Sequence, residues 1–123
     1  MTIGDTFLID HLWVVISDPA KNGGKFVIVN LTTDKIRAGE ECALSPGDHP
    51  WIIKKSYVSF GDAREVGPKE EAELTKHITS GKIKRHFPMG HSVLRRITAT
   101  AGRSKALPTI LRCHFVTPKQ NSK

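Results

Sequence analysis

Three features of the sequence predict an α+β fold that is mostly β. The first 66 residues hold short apolar runs rich in Val, Ile, Trp and Phe, these runs are punctuated by Gly, Pro, Asn and Asp, and helical spacing begins only near residue 67. β-branched and aromatic residues fit a pleated, half-buried surface, and runs this short cannot make globular helices. Short strands with frequent turns predict a compact, twisted antiparallel barrel or a strongly bent sheet, with one or two appended helices. A chain of 123 residues, 38% of them hydrophobic, suits one domain around one core. That domain is expected over 1–116, strand-rich over 4–66 and helical and basic over 67–116, with 117–123 as a flexible tail.

In chain order, Gly4-Asp5 opens a strand over Thr6–Ile9, and Asp10-His11 bends it into the next. The runs HLWVVIS (His11–Ser17) and KFVIVNLTT (Lys25–Thr33) flank Asp18-Pro19 and Asn22-Gly23-Gly24 and read as a hairpin, because Pro presets φ and Gly tolerates positive φ. Antiparallel pairing then puts His11 beside Thr32. TTDKIRAGEE reads as a loop, Cys42–Leu44 as a short strand, and Ser45–Pro50 as dense turn chemistry. Trp51–Ile53 is a fourth apolar run and Ser56–Phe60 a fifth, with period-2 alternation, a bulge at Gly61 and continuation over Ala63–Val66. Pro68 at a first helical position, Glu70 and Glu71 in the first turn, Leu74 and Ile78 on one face and Gly81 as the stop predict a helix. Lys82–Met89 reads as a basic connector. A second helix is expected over His91–Ala101, with Val93, Leu94, Ile97 and Ala101 inward, Arg95 and Arg96 outward, and Gly102 as cap. Leu107–Phe115 reads as a last strand or an extended arm.

The net charge of +7 is unevenly placed. Residues 1–60 carry six Lys/Arg against seven Asp/Glu, whereas residues 61–123 carry thirteen against five. From Lys82 onward there are ten basic residues and no acidic one, a one-sided field that attracts nucleic acid or an acidic protein. No apolar run approaches the ~20 residues that span a bilayer, and no basic segment leads into a long apolar one at the N-terminus, so a cytoplasmic protein is expected. Cys42 and Cys113 then read as reduced thiols. Their spacing from the histidines suggests no metal site, and no cofactor is expected.

Gly4-Asp5, the run ending in VVIS and the following VIVNLTT resemble the PemK/MazF-like toxins of toxin–antitoxin modules, with weaker agreement in SYVSFGDARE and the helix after it. In that family a GD precedes a strand like RPxLVVS and another like VVPLTS. The resemblance implies an SH3-like barrel with helical additions, a homodimer, an antitoxin partner and metal-independent cleavage of single-stranded RNA. The ribose 2′-hydroxyl would be the nucleophile and a cyclic phosphate the product. Thr32 falls on the Thr of the PLT segment. His11 falls where the family has its arginine, and imidazole cannot supply an arginine's bidentate fork, although it can move a proton near neutral pH. The link between the first two strands is also too short for the family's substrate loop, so RNA contacts are expected from Ser45–Tyr57 or from the basic C-terminal part.

RNA cleavage without a metal needs a base, an acid and positive charge on the phosphate. His11 and His49 are the expected acid–base pair, with Thr32 and Ser56 positioning the phosphate. Lys54, Lys55 and Arg64 are candidates for its clamp, Tyr57 and Trp51 for base stacking, and Lys84, Arg85, Arg95 and Arg96 for further nucleic-acid contacts. The alternative is a barrel that binds nucleic acid or poisons a protein target, in the manner of CcdB-like toxins, without chemistry.

Overall fold

The structure, a computed structural model, describes residues 1–115. Six strands, β1 (Thr6–Ile9), β2 (His11–Val15), β3 (Phe26–Thr32), β4 (Ala43–Leu44), β5 (Ser56–Val66) and β6 (Lys84–His86), form one antiparallel sheet. Their order is β4-β5-β3-β2-β1-β6. Among the described residues three α-helices, α1 (Lys35–Ala38), α2 (Pro68–Thr79) and α3 (His91–Ala101), and two short 3-10 helices, Pro19–Lys21 and Thr109–His114, complete the fold. The tail expected over 117–123 lies outside the described residues.

Successive strand residues point to opposite faces, and both faces of this sheet are apolar. Leu12 and Val14 of β2, Val27, Val29 and Leu31 of β3, and Val58 and Phe60 of β5 bury one face under Val93, Leu94, Ile97 and Ala101 of α3, with Leu107 and Leu111 beside them. Phe7, Trp13, Val15, Phe26, Ile28 and Val66 bury the other face under Leu74 of α2. Burial on both sides explains why β2 and β3 read as nearly continuous apolar runs. Toward one end of the second face the apolar side chains give way to His11, Asn30, Asp62 and Arg64, and there the functional argument begins.

A bulge in β5 sets up that end. Asn30 pairs with Ser59 and Ile28 with Arg64, so a step of two residues on β3 faces five on β5. The surplus falls around Gly61, and such an insertion re-aims the side chains that follow it. Asp62 and Arg64 thereby reach the neighbourhood of Asn30.

Four segments differ from expectation. Lys84–His86, read as connector, is a strand because its backbone pairs with the edge of β1, in the register Thr6↔His86 to Leu8↔Lys84. The loop after β3 contains α1, started by Asp34, whose carboxylate accepts from Arg37 N at 3.1 Å, and stopped by Gly39 at φ 77°. Trp51–Ile53 forms no strand. Ile52 enters the core while Ile53 stays 86% exposed. Thr109–His114 is a 3-10 turn that buries only Leu111.

The backbone ladder stays open, since β4 and β6 do not pair with each other. His49 nevertheless ties the two edges together. Its Nδ1 accepts from Trp51 N at 3.0 Å, which leaves the proton on Nε2 to donate to Phe87 O, just past β6, at 2.7 Å. Thr6 Oγ1 donates to the same carbonyl at 2.7 Å.

Candidate active site at the hairpin end

The β1–β2 connection is as short as a hairpin can be. Ile9 pairs with His11 across Asp10 alone, which sits at φ 64°, a left-handed conformation that Asp tolerates better than most residues. Trp13 Nε1 donates to Ile9 O at 3.1 Å and pins the bend to the sheet. The β2–β3 register ends with Leu12↔Leu31, so His11 and Thr32 are the next opposing positions, as the sequence implies.

Thr32 does not face the cavity as a reactive group. Its Oγ1 accepts from Asp34 N at 3.1 Å and turns the chain into α1. That turn has a consequence, because α1 carries Arg37 back over the hairpin. Arg37 Nη1 lies 3.3 Å from His11 Nε2, and Nη2 donates to Asp62 Oδ2 at 2.8 Å. A guanidinium only donates, so in this contact His11 Nε2 presents a lone pair and the ring proton sits on Nδ1. Nε2 is therefore the acceptor nitrogen of the ring, and Arg37 occupies it here.

Asp62 organises the rest of the cluster. Ser59 Oγ donates to its Oδ2 at 2.7 Å, and the Asn30 carboxamide lines the same cavity beside it. The Ser59 hydrogen bond, followed by the Arg37 charge and hydrogen bond and by Asn30, outweighs partial burial and holds the Asp62 carboxyl below its ordinary range. Arg64 lies over the Trp13 ring, its guanidinium carbon 5.9 Å from the ring centre, as a cation–π pair. His11, Arg37, Arg64, Asn30 and Asp62, with Trp13 and Ile28 as floor, line a cavity of about 340 Å³. The cavity thus offers one imidazole and two guanidinium groups, one of them already held by Asp62, and the Asp10 carboxylate lines it as well.

The folded-state depression of Asp62 fixes the sign of a pH effect. Its ionised form is favoured by folding, so the contribution is fully present above the ordinary carboxylate range and is lost as pH falls through the lowered folded value. Asp62→Asn should unfold at lower urea than wild type at neutral pH, with the gap closing in strong acid. A gap that does not change with pH would show that the ion pair is not its source.

The other expected site residues are dispersed. His49 is 2% exposed, both its ring nitrogens are engaged, and it does not line the cavity. It holds the end of β6, next to Thr6 at the far end of β1 from the bend, and the geometry does not pair it with His11. His49→Ala should therefore cost about 1–3 kcal/mol of stability, the range for leaving buried partners unpaired. Denaturant midpoints of the variant and wild type measure the effect.

Lys54 and Lys55 are exposed beyond the cavity, Tyr57 is 8% exposed and belongs to the core, and Ser56 Oγ donates to Lys54 O at 3.0 Å. Trp51 packs half-buried against the core. Arg85 pairs with Asp5 at 3.0 Å and Arg96 with Asp48 at 3.1 Å, while Lys84 and Arg95 are exposed away from the cavity. Among the described residues no three His, Cys, Asp or Glu side chains cluster in a way that could hold a metal ion. No helix among them is long and apolar enough to cross a membrane.

A second polar cluster lies on the sheet near the C-terminal turn. Ser17 Oγ accepts from Val27 N at 2.8 Å and lies 3.0 Å from His114 Nδ1, whose Nε2 lies 2.7 Å from Glu65 Oε2. Ser17 stands in for a missing ladder partner at the end of β2, and His114 clamps the turn at Thr109–His114 to the sheet.

Arg37, Asp62 and Ser59 are the site residues that the sequence did not reveal, whereas Asn30 stands out in it only as a polar residue at the exit of a buried strand. The one available signal was an arginine five residues after the Thr32 strand end, inside a segment that reads as loop. No known protein-family model matches the chain, and no curated protein matches it in sequence.

Proposed function

We propose that this cavity cleaves single-stranded RNA without a metal, and that the chain is a PemK/MazF-like toxin of the mRNA-interferase type. The observation that carries the reading is the contact between Arg37 and His11. The resemblance to that family is weakest where His11 stands in place of an arginine, and Arg37 delivers a guanidinium to that position from α1. Arg64 adds a second positive charge to the same cavity.

In this reading the scissile phosphate draws the Arg37 fork away from His11. The guanidinium then binds two phosphate oxygens, its natural geometry. The freed Nε2 of His11 takes the proton of the ribose 2′-hydroxyl, and the 2′-oxygen attacks phosphorus. Arg37 and Arg64 stabilise the charge that builds on the phosphorane. The bond to the 5′-oxygen breaks, and that oxygen takes a proton from water at the cavity mouth, leaving a 2′,3′-cyclic phosphate. Asp62 keeps Arg37 in place between turnovers.

The same reading gives the sheet an SH3-like, barrel-like curl. Its support is the His49 bridge between the two edges that the ladder leaves unpaired. The exposed Lys84, Arg85, Arg95 and Arg96 lie outside the cavity and would carry flanking RNA, which is also what a non-catalytic binding module would use them for. A homodimer and an antitoxin partner belong to the proposal through the family resemblance.

Purified protein incubated with mixed-sequence RNA in EDTA should yield discrete fragments. RNA left intact across a wide pH range would overturn the enzymatic reading and leave the binding module.

A further inference from the structure

The Asn30 side chain is 2% exposed, and its Oδ1 has no hydrogen-bond partner among the described residues. An orphaned buried carbonyl costs free energy, so it calls for an explanation. Asp62 lines the same cavity beside the Asn30 carboxamide, and an ionised carboxylate only accepts, so it suits Nδ2 and offers nothing to Oδ1. Asn30 also shares its strand face with Ile28 and with the cross-strand neighbour Trp13, the floor of the cavity. Arg37 and Arg64 there suit an anion, while the carboxylates of Asp10 and Asp62, which line the same cavity, only accept. Asn30 Oδ1 is the buried acceptor without a partner, and it suits an N–H donor.

We propose that Asn30 is a specificity residue that accepts a hydrogen bond from the exocyclic amino group of a nucleobase next to the phosphate bound by Arg37 and Arg64. The ligand is a nucleotide of adenine, cytosine or guanine, and uracil, which has no amino group, is disfavoured. This rests on the nucleotide reading of the cavity but adds to it, because cleavage by His11 and Arg37 needs no base preference. Oδ1 is covered in the free protein, so a base reaches it only when a neighbouring side chain moves; the exposed Arg64 lies over Trp13, the cross-strand partner of Asn30.

The test uses nucleoside 3′-monophosphates, which bind but cannot be cleaved, titrated calorimetrically into the full-length protein. At least one of the adenosine, cytidine and guanosine forms should bind about tenfold tighter than the uridine form, the size of one satisfied buried hydrogen bond. Asn30→Leu, close in volume, should bring that ratio to about one. Purine riboside monophosphate, which lacks the amino group of adenosine, checks the wild-type protein without any substitution and should bind like the uridine form. Equal binding of all nucleotides, no binding of any, or a preference that survives in Asn30→Leu would each overturn the proposal. So would an Asn30→Leu variant that is merely more stable and binds as wild type does, since the carbonyl would then be serving a structural water. A preference without RNA cleavage would leave Asn30 standing and remove the nuclease reading. Cleavage with no preference would do the reverse.

Discussion

His11→Ala should lower the rate of RNA cleavage by about 10²–10⁴-fold, the range for loss of a positioned proton-transfer group. His11 is half-buried at the hairpin end, with Arg37 as its side-chain neighbour, so the substitution removes the base without opening the core. RNA affinity measured by fluorescence anisotropy should stay within about threefold of wild type, because the cations remain. Cleavage and affinity together separate the two functional classes. A variant that still cleaves at the wild-type rate would take His11 out of the chemistry.

The second large effect is at Arg37. Arg37→Ala should reduce cleavage by about 10²–10³-fold, the cost of losing a charge aimed at a developing oxyanion. Arg37→Lys should recover little of it, since a lysine keeps the charge but not the fork that spans Asp62 and His11 or two phosphate oxygens. Asp62 is left without its partner in either variant, so the urea midpoint must be measured alongside. Because the Arg37–Asp62 pair is substantially exposed, its loss should change stability only slightly. Full activity in Arg37→Ala would dissolve the central contact of the proposed mechanism.

How far the sequence speaks depends on the distance over which each feature is decided. The β2–β3 hairpin, α2 and α3 are local. Their apolar spacing, the Pro68 start and the Gly102 cap are written within one element, and α3 occupies the expected His91–Ala101. β6 was hidden because Lys84-Arg85-His86 carries no apolar pattern and becomes a strand only through the backbone of β1, some eighty residues earlier in the chain. The C-terminal segment misleads in the opposite sense. Thr109-Ile110-Leu111 has strand-like composition, yet Pro108 leads into a turn that buries Leu111 alone and leaves Ile110 83% exposed.

The candidate site divides in the same way. His11 beside Thr32 follows from hairpin register, and Arg64 was among the expected phosphate ligands. Arg37 and Asp62 were missed because the residues that meet are 25 and 26 positions apart. They converge only through two irregularities, the four-residue α1 and the bulge at Gly61. His49 was misplaced for a related reason. A histidine in a turn shows nothing in sequence of the Phe87 carbonyl that occupies its second nitrogen.

The identity of the fragment ends tests the proposal most directly. RNA incubated with the protein in EDTA and examined by mass spectrometry should carry 2′,3′-cyclic phosphate on the upstream fragment and a free 5′-hydroxyl on the downstream one. Fragments ending in 5′-phosphate, or cleavage that persists when the scissile ribose is replaced by deoxyribose, would contradict attack by the 2′-oxygen and with it the role given to His11 and Arg37.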